Sequence, residues 1–212
     1  MKSLIFIAPP AAGKGTQAKM VSEAYNLAHI STGDLLREEV RNGNQELQNI
    51  MESGKLVSDE IVLDLLTKKI SKVQNGYILD GFPRNVNQAI SFDKILTEMN
   101  QRIDYVIYLN LDKEIAKKRI VGRVSCPNCG NVYNIMIEGM EPTNQDLCNN
   151  CHVSLVKRKD DNEETFEVRY NTYLEETEPL IKYYQEKNIL HEIDSSLDKE
   201  TVFKKIEEII ND

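Results

Sequence analysis

Short apolar runs alternate with amphipathic stretches along this chain. Leu4 to Ile7 is an unbroken apolar run ending at Pro9 and Pro10, the form expected of a strand buried on both faces. Tyr77-Ile78-Leu79-Asp80 and Tyr105-Val106-Ile107-Tyr108-Leu109 read the same way, and Ile189 to Ile193 is a weaker fourth instance. Helical spacing fills the intervals, at about 15–25, 34–42, 59–73, 86–99 and 112–123, then over a long stretch near 161–187 and a last one at about 199–210. Strands alternating with helices predict an α/β fold, a parallel sheet flanked by helices on both faces. Ligands of such sheets bind beyond the carboxyl ends of the strands.

The segment 124–160 breaks the alternation. It holds Gly130, Gly139 and Pro142, lacks long periodic stretches, and contains all four cysteines of the chain. A linker would not concentrate every cysteine, so the segment reads as a small inserted module. Cys126-Pro127-Asn128-Cys129 and Cys148-Asn149-Asn150-Cys151 are two C-x-x-C pairs separated by 18 residues. That spacing suits two knuckles presenting four thiolates to a structural zinc ion, with free thiols or disulfides as the other readings. Four cysteines would close the coordination sphere, which argues against a catalytic metal.

Composition narrows the function classes. The chain has 212 residues and a net charge of −8, enough for one core with an inserted module. The negative charge argues against a nucleic-acid binder. The cysteine module points the same way, since Ser125 to Leu155 contains Glu138, Glu141 and Asp146 but no Lys or Arg. No apolar run approaches the ~20 residues of a membrane helix, and no secretory leader is recognisable. A cytoplasmic location is expected.

The first strand leads into Ala8-Pro9-Pro10-Ala11-Ala12-Gly13-Lys14-Gly15-Thr16, with a helix after it. The last four residues match the end of the phosphate-loop pattern G-x-x-x-x-G-K-S/T, while Ala8 stands where its first glycine belongs. Backbone N–H groups at the helix N-terminus can point at phosphate oxygens, Lys14 adds a full charge, and the Thr16 hydroxyl can reach Mg²⁺. The loop predicts nucleoside triphosphate binding, and a proline-rich turn before an ordinary helix is the alternative. Phosphoryl transfer relies on positioning and positive charge, and one arginine can be worth roughly 10³–10⁵ in rate. Arg37, Arg84, Arg119, Arg123, Arg158 and Arg169 are candidates because they stand at strand ends, on helix faces and at the module's edges. Asp80, ending a buried strand, suits either a water-mediated Mg²⁺ contact or the opening of the turn at Gly81.

Several longer stretches resemble adenylate kinases. They are Ala28-His29-Ile30-Ser31-Thr32-Gly33-Asp34-Leu35-Leu36-Arg37, Gly54-Lys55-Leu56-Val57-Ser58-Asp59-Glu60, Leu79-Asp80-Gly81-Phe82-Pro83-Arg84-Asn85-Val86-Asn87-Gln88 and Arg158-Lys159-Asp160-Asp161-Asn162-Glu163-Glu164-Thr165. The resemblance runs from Leu4 to about Ser196. It implies the reaction MgATP + AMP ⇌ 2 ADP, carried out on a phosphate-loop core (1–30, 60–123 and 161–212), an inserted helical AMP-binding segment (31–59) and a small zinc-ribbon lid (124–160). It implies that Ala11, Ala12, Gly13, Lys14, Gly15, Thr16, Arg119, Arg123, Val132, Tyr133 and Ser196 serve ATP. Thr32, Arg37, Lys55, Leu56, Val57, Gly81, Arg84, Gln88, Arg158 and Arg169 would serve AMP, with Lys14, Arg84, Arg123, Arg158 and Arg169 catalytic. Asp80 and Thr16 would hold Mg²⁺, partly through water, and Cys126, Cys129, Cys148 and Cys151 would hold zinc in the lid. A monomer is expected.

Specificity should turn on Thr32 and Gln88. Relatives acting on pyrimidines carry Ala in place of Thr32, so the pair favours AMP. The chain departs from the family pattern at Ala8 and Ala11 (usually glycine), Val124 (arginine), Asn134 (histidine), Ser58 (proline), Asn85 (threonine) and Ser195 (glycine). A kinase with another acceptor, or a slow or non-catalytic nucleotide binder with an altered loop, is the alternative. Alanine forced to a positive φ would be strained by roughly 1–2 kcal/mol.

Overall fold

A computed structural model describes residues 2–52, 57–157 and 161–212. The core is a five-stranded sheet in the order Ala28–Ser31, Gly76–Asp80, Lys2–Ile7, Tyr105–Asn110, Leu190–Asp194, all neighbours parallel. Its elements in chain order are β1 (Lys2–Ile7), α1 (Lys14–Tyr25), β2 (Ala28–Ser31), α2 (Thr32–Arg41), α3 (Gln45–Glu52), α4 (Asp59–Ile70), β3 (Gly76–Asp80), α5 (Val86–Glu98), β4 (Tyr105–Asn110) and α6 (Lys113–Val121). A two-stranded antiparallel ribbon follows, β5 (Arg123–Ser125) with β6 (Val132–Asn134). The chain then returns through α7 (Glu163–Thr172), a π turn (Tyr173–Thr177), α8 (Pro179–Glu186), β7 (Leu190–Asp194) and α9 (Lys199–Asn211).

The unbroken apolar runs of β1, β3 and β4 have a direct cause. Successive side chains of a strand point to opposite faces, and here both faces are covered. Leu4, Phe6, Ile78, Ile107 and Leu109 pack on one face with Ala18 and Val21 of α1, Ile120 of α6, Phe166 of α7 and the Val202, Ile206, Ile210 stripe of α9. Ile5, Ile7, Tyr77, Leu79, Val106 and Tyr108 pack on the other with Leu66 and Ile70 of α4, Phe92 and Leu96 of α5, and Leu180 and Tyr184 of α8. A polar residue inside β1 would therefore face a dry layer whichever way it pointed.

Three features depart from the sequence expectation. The edge strand β2 is absent from the apolar runs because only Ile30 is fully buried in it, between His29 and Ser31. Helix α3 has the mostly polar sequence QELQNIME, which gives little periodic signal. The long helix expected over 161–187 is divided by the π turn. Pro179 explains this, since it cannot donate a helical hydrogen bond and its ring crowds the preceding turn.

The cysteine module has a core of its own, with Cys126, Tyr133 and Cys148 buried beside Val124 and Leu155. No helix among the described residues is long and apolar enough to cross a membrane.

Gly76 opens β3 at φ 107°, directly beneath Lys2 of β1. A Cβ there would lie 2.1 Å from the Lys2 carbonyl oxygen, so both the dihedral and the space require glycine. Gly76→Ala is expected to lower unfolding stability by about 3 kcal/mol or more in urea denaturation, because the β1–β3 ladder must shift.

Candidate active site

The loop after β1 leads directly into the N-terminus of α1. Gly13 precedes α1 at φ 81°, Gln17 N–H donates to its carbonyl, and the first turn of α1 has neither a side-chain cap nor an acidic residue. Unsatisfied N–H groups and the positive end of the helix dipole are thus left for an anion. No atom lies within 4 Å of the place a Gly13 Cβ would occupy, which leaves room for a phosphate to approach the backbone. Ala12 is buried and its N–H donates to Pro9. Ala11 adopts φ 63°, the left-handed region, so this departure does carry backbone strain, whereas Ala8 has no positive φ. Thr16 stands exposed in the first turn of α1.

Asp80, at the carboxyl end of β3, faces the same loop. One carboxylate oxygen lies 3.3 Å from Lys14 Nζ and the other 3.3 Å from His29 Nε2. Burial pushes this carboxyl up, but the His29 hydrogen bond and the Lys14 charge outweigh it and hold Asp80 below the usual carboxylate range. An ionised carboxylate beside a phosphate-loop lysine, with a threonine hydroxyl in the same turn, is a hard oxygen donor set of the kind Mg²⁺ takes.

A second cluster follows Asp80. Gly81 turns at φ 84° and its carbonyl accepts from Thr32 Oγ1 at 3.1 Å and from Arg84 Nε at 3.2 Å. Asn85 caps α5 by accepting from Gln88 N–H at 2.9 Å. The buried Gln88 carboxamide is tethered at both ends. Its oxygen accepts from Arg84 N–H at 2.7 Å and its nitrogen donates to Asp59 at 2.6 Å. Each end keeps one further hydrogen-bonding valence for a ligand. Arg37, one turn into α2, pairs with Asp34 at 2.6 Å, and that contact pulls the Asp34 carboxyl down. Val57 is half-buried just before α4. Lys55, Leu56 and Arg158 lie outside the described residues.

A third group joins α6 to the chain after β7. Arg119 donates to the carbonyl of Ser195 at 2.9 Å and to that of Ser196 at 3.4 Å. Ser195 in turn bonds Asn110 through both its N–H and its hydroxyl, each at 2.9 Å. Arg123 makes a two-pronged pair with Asp161 at 2.5 and 2.8 Å, the Asp161 side chain being wholly buried. Arg169 lies in the last turn of α7, and Val132 is exposed at the start of β6.

The four cysteine sulfurs all lie within 4.8 Å of one another, and Cys129 and Cys148 are 3.6 Å apart. A tetrahedron with metal–sulfur bonds of about 2.3 Å has edges of about 3.8 Å, so the cluster matches a four-thiolate metal site. Tyr133 is turned into this cluster. Its hydroxyl lies 3.4 Å from Cys148 Sγ and accepts from Asn149 N–H, and it pulls the Cys148 thiol down to about 6.

Sequence reading missed three contributors. His29 precedes the Ser31-Thr32-Gly33-Asp34 stretch, but nothing in its spacing marks it as a partner of Asp80. Asn134, in place of the usual histidine, is buried, donates to the carbonyls of Arg119 and Lys118, and accepts from Met136 N–H. It closes the end of α6 against the cysteine module. Thr177 reaches Arg84 from the π turn.

A strand–loop–helix anion site, with a carboxylate on the adjacent parallel strand paired to the loop's lysine, is the arrangement of a phosphate-loop phosphotransferase. The family model for adenylate kinase matches residues 6–189. Adenylate kinases from Archaeoglobus fulgidus (44% identical), Kosmotoga olearia (42%) and Thermotoga maritima (40%) align over 98%, 96% and 99% of this chain and 97%, 96% and 97% of their own lengths. The chain belongs to the adenylate kinase family, enzymes of phosphoryl transfer between ATP and AMP. Nothing in the geometry favours a non-catalytic relative.

The strain at Ala11 gives a test of the loop. Ala11→Gly is expected to raise stability by about 0.5–1 kcal/mol, or roughly 1–4 °C in thermal midpoint. A fall in the midpoint would show that the left-handed alanine costs nothing here.

Proposed function

We propose that this chain catalyses MgATP + AMP ⇌ 2 ADP with the two nucleotides meeting at the carboxyl end of β1 and β3. The observation that carries this reading is the convergence of Lys14, Asp80 and the Gly81–Arg84–Gln88 turn on one end of the sheet. ATP phosphates lie on the N–H groups from Ala11 to Thr16, with Lys14 adding charge. Arg119 and Ser196 border its adenosine, while Arg123, Val132 and the backbone of Tyr133, whose ring is turned into the cysteine cluster, line the lid side. Magnesium bound with ATP screens the phosphate charge, and Asp80, through water, with Thr16 would hold it. AMP lies against Thr32, Arg37, Lys55, Leu56, Val57, Gly81, Arg84 and Gln88. Arg84, Arg123, Arg158 and Arg169 bring positive charge to the transferred group, where catalysis is positioning and electrostatics.

The base of AMP is read by Gln88 and Thr32. Asp59 and the Arg84 backbone fix the Gln88 carboxamide, so its two remaining valences point in set directions. A pyrimidine or guanine edge would leave one of them unpaired. In this reading 1–30, 60–123 and 161–212 form the core, 31–59 the AMP segment and 124–160 the lid. The protein works as a cytoplasmic monomer without nucleic acid.

Cys126, Cys129, Cys148 and Cys151 would hold zinc, which supplies folding energy to a module with only a few buried residues. Its closed thiolate shell makes it a staple and leaves the chemistry to the core. Removing the metal with a strong chelator is expected to abolish a separate melting step of the lid while the core still binds ATP. An unchanged melt, together with no metal by elemental analysis, would contradict the zinc.

The direct test is ADP formation from ATP with AMP, CMP, UMP and GMP run in parallel. AMP is expected to be turned over fastest, by about 10²-fold or more over the others, since each loses a paired polar contact. Faster turnover of CMP or UMP would overturn the assignment of Thr32 and Gln88. Absent turnover with intact ATP binding would overturn the reaction itself.

A further inference from the structure

The π turn between α7 and α8 places a hydroxyl on the loop that carries Arg84. Thr177, its last residue, donates from Oγ1 to the Arg84 carbonyl at 2.9 Å across 93 residues of sequence. The turn itself closes through a bond from Glu178 N–H to the Tyr173 carbonyl, one residue wider than an α-helical bond. It is anchored from inside the protein. Tyr173 is buried and its hydroxyl donates to that of Tyr108 on β4, which reaches Asn110 at 3.3 Å. Pro179 prevents the helix from continuing in register through this point. Wide turns of this kind recur at functional sites.

Arg84 has few other restraints. Its guanidinium bonds Gly81 through Nε, and its N–H bonds Gln88. The loop from Gly81 to Asn85 lies between β3 and α5, outside both, so no ladder or helix bond fixes the Arg84 carbonyl. The Thr177 bond is what the structure gives that carbonyl. The same helical run carries Arg169 eight residues before Thr177, in the last turn of α7.

We propose that Thr177 is a positioning residue for phosphoryl transfer, delivered by the π turn to hold the Arg84 backbone so that its guanidinium meets the transferring phosphate. This rests on the reading of Arg84 given above. A guanidinium at the end of a long side chain loses alignment when its backbone can swing, and misplacement by about 1 Å can cost about 10²-fold in rate. The bond is exposed, so water can replace it in binding energy more easily than in positioning.

Thr177→Val keeps the β-branched shape and removes the donor, whereas Thr177→Ser keeps the donor. Thr177→Val is expected to lower kcat about three- to tenfold, the range one neutral hydrogen bond commands, with the KM values for ATP and AMP changed less than kcat. Thr177→Ser is expected to recover most of that loss. In an Arg84→Ala background Thr177→Val should cost nothing further, because both act through the same guanidinium. An unchanged kcat in Thr177→Val, a Thr177→Ser variant as slow as it, or an equal loss in the Arg84→Ala background would each overturn the proposal. Full turnover by Arg84→Ala alone would overturn the reading of Arg84 as well. A crippled Arg84→Ala beside an unaffected Thr177→Val overturns only the role of Thr177.

Discussion

The parallel pairing of β1 with β3 is the constraint on which the rest depends. Its register sets Phe6 beside Asp80, so the strand that feeds the phosphate loop and the strand that ends in the carboxylate finish at the same level. Two parallel strands must point the same way, and the helix that follows each must start at the same edge of the sheet. The Lys14–Asp80 contact then follows from topology, needing no distortion of either element. The apolar content of both strands is what makes the register firm. A slip of one residue would exchange the two buried faces of β1 and mismatch Leu4 and Phe6 against the packing beneath.

On that frame the site is assembled by side chains that hold backbone and by backbone that holds side chains. Gln88 fixes the Arg84 N–H, Thr177 fixes the Arg84 carbonyl, Asn85 caps the helix that carries Gln88, and Thr32 ties to Gly81. Arg119 and Asn134 do the same at the other end of α6, toward the chain after β7 and toward the cysteine module. Each bond is modest alone, near 1 kcal/mol. In the proposed reading their common effect would be to reduce the reorganisation required when phosphates arrive, which is where phosphoryl transfer gains rate. The Asp161–Arg123 pair is the buried member of this set, and it joins the start of β5 to the return of the chain before α7.

Much of this was legible in the sequence for an identifiable reason. Strands β1, β3 and β4 announce themselves because two covered faces demand unbroken apolar runs, and the loop before α1 because the positive φ at Gly13 restricts residue choice. The cysteine spacing reads directly as a compact four-sulfur cluster. Strand β2 was hidden because an edge strand of four residues buries little, and α3 because its polar sequence has no stripe. The π turn was hidden because helical periodicity continues on both sides of it, with Pro179 as the one sign of interruption. His29, Asn134 and Thr177 act through single hydrogen bonds to groups distant in sequence, and no local pattern encodes such a partner. The strain at Ala11 was foreseen in kind, since alanine stands where glycine is usual, but only the backbone shows that Ala11 and not Ala8 takes the positive φ.

If the proposed reaction is right, ATP and AMP occupy one continuous site with their phosphates meeting between Lys14 and Arg84. Titration calorimetry with a single molecule in which two adenosines are joined through five phosphates tests this directly. Such a molecule spans both nucleotide positions and resembles the joined reacting pair, so it is expected to bind at least about 10²-fold more tightly than ATP or AMP alone and to exclude both. Binding no tighter than that of ATP, or displacement of ATP without displacement of AMP, would contradict the account.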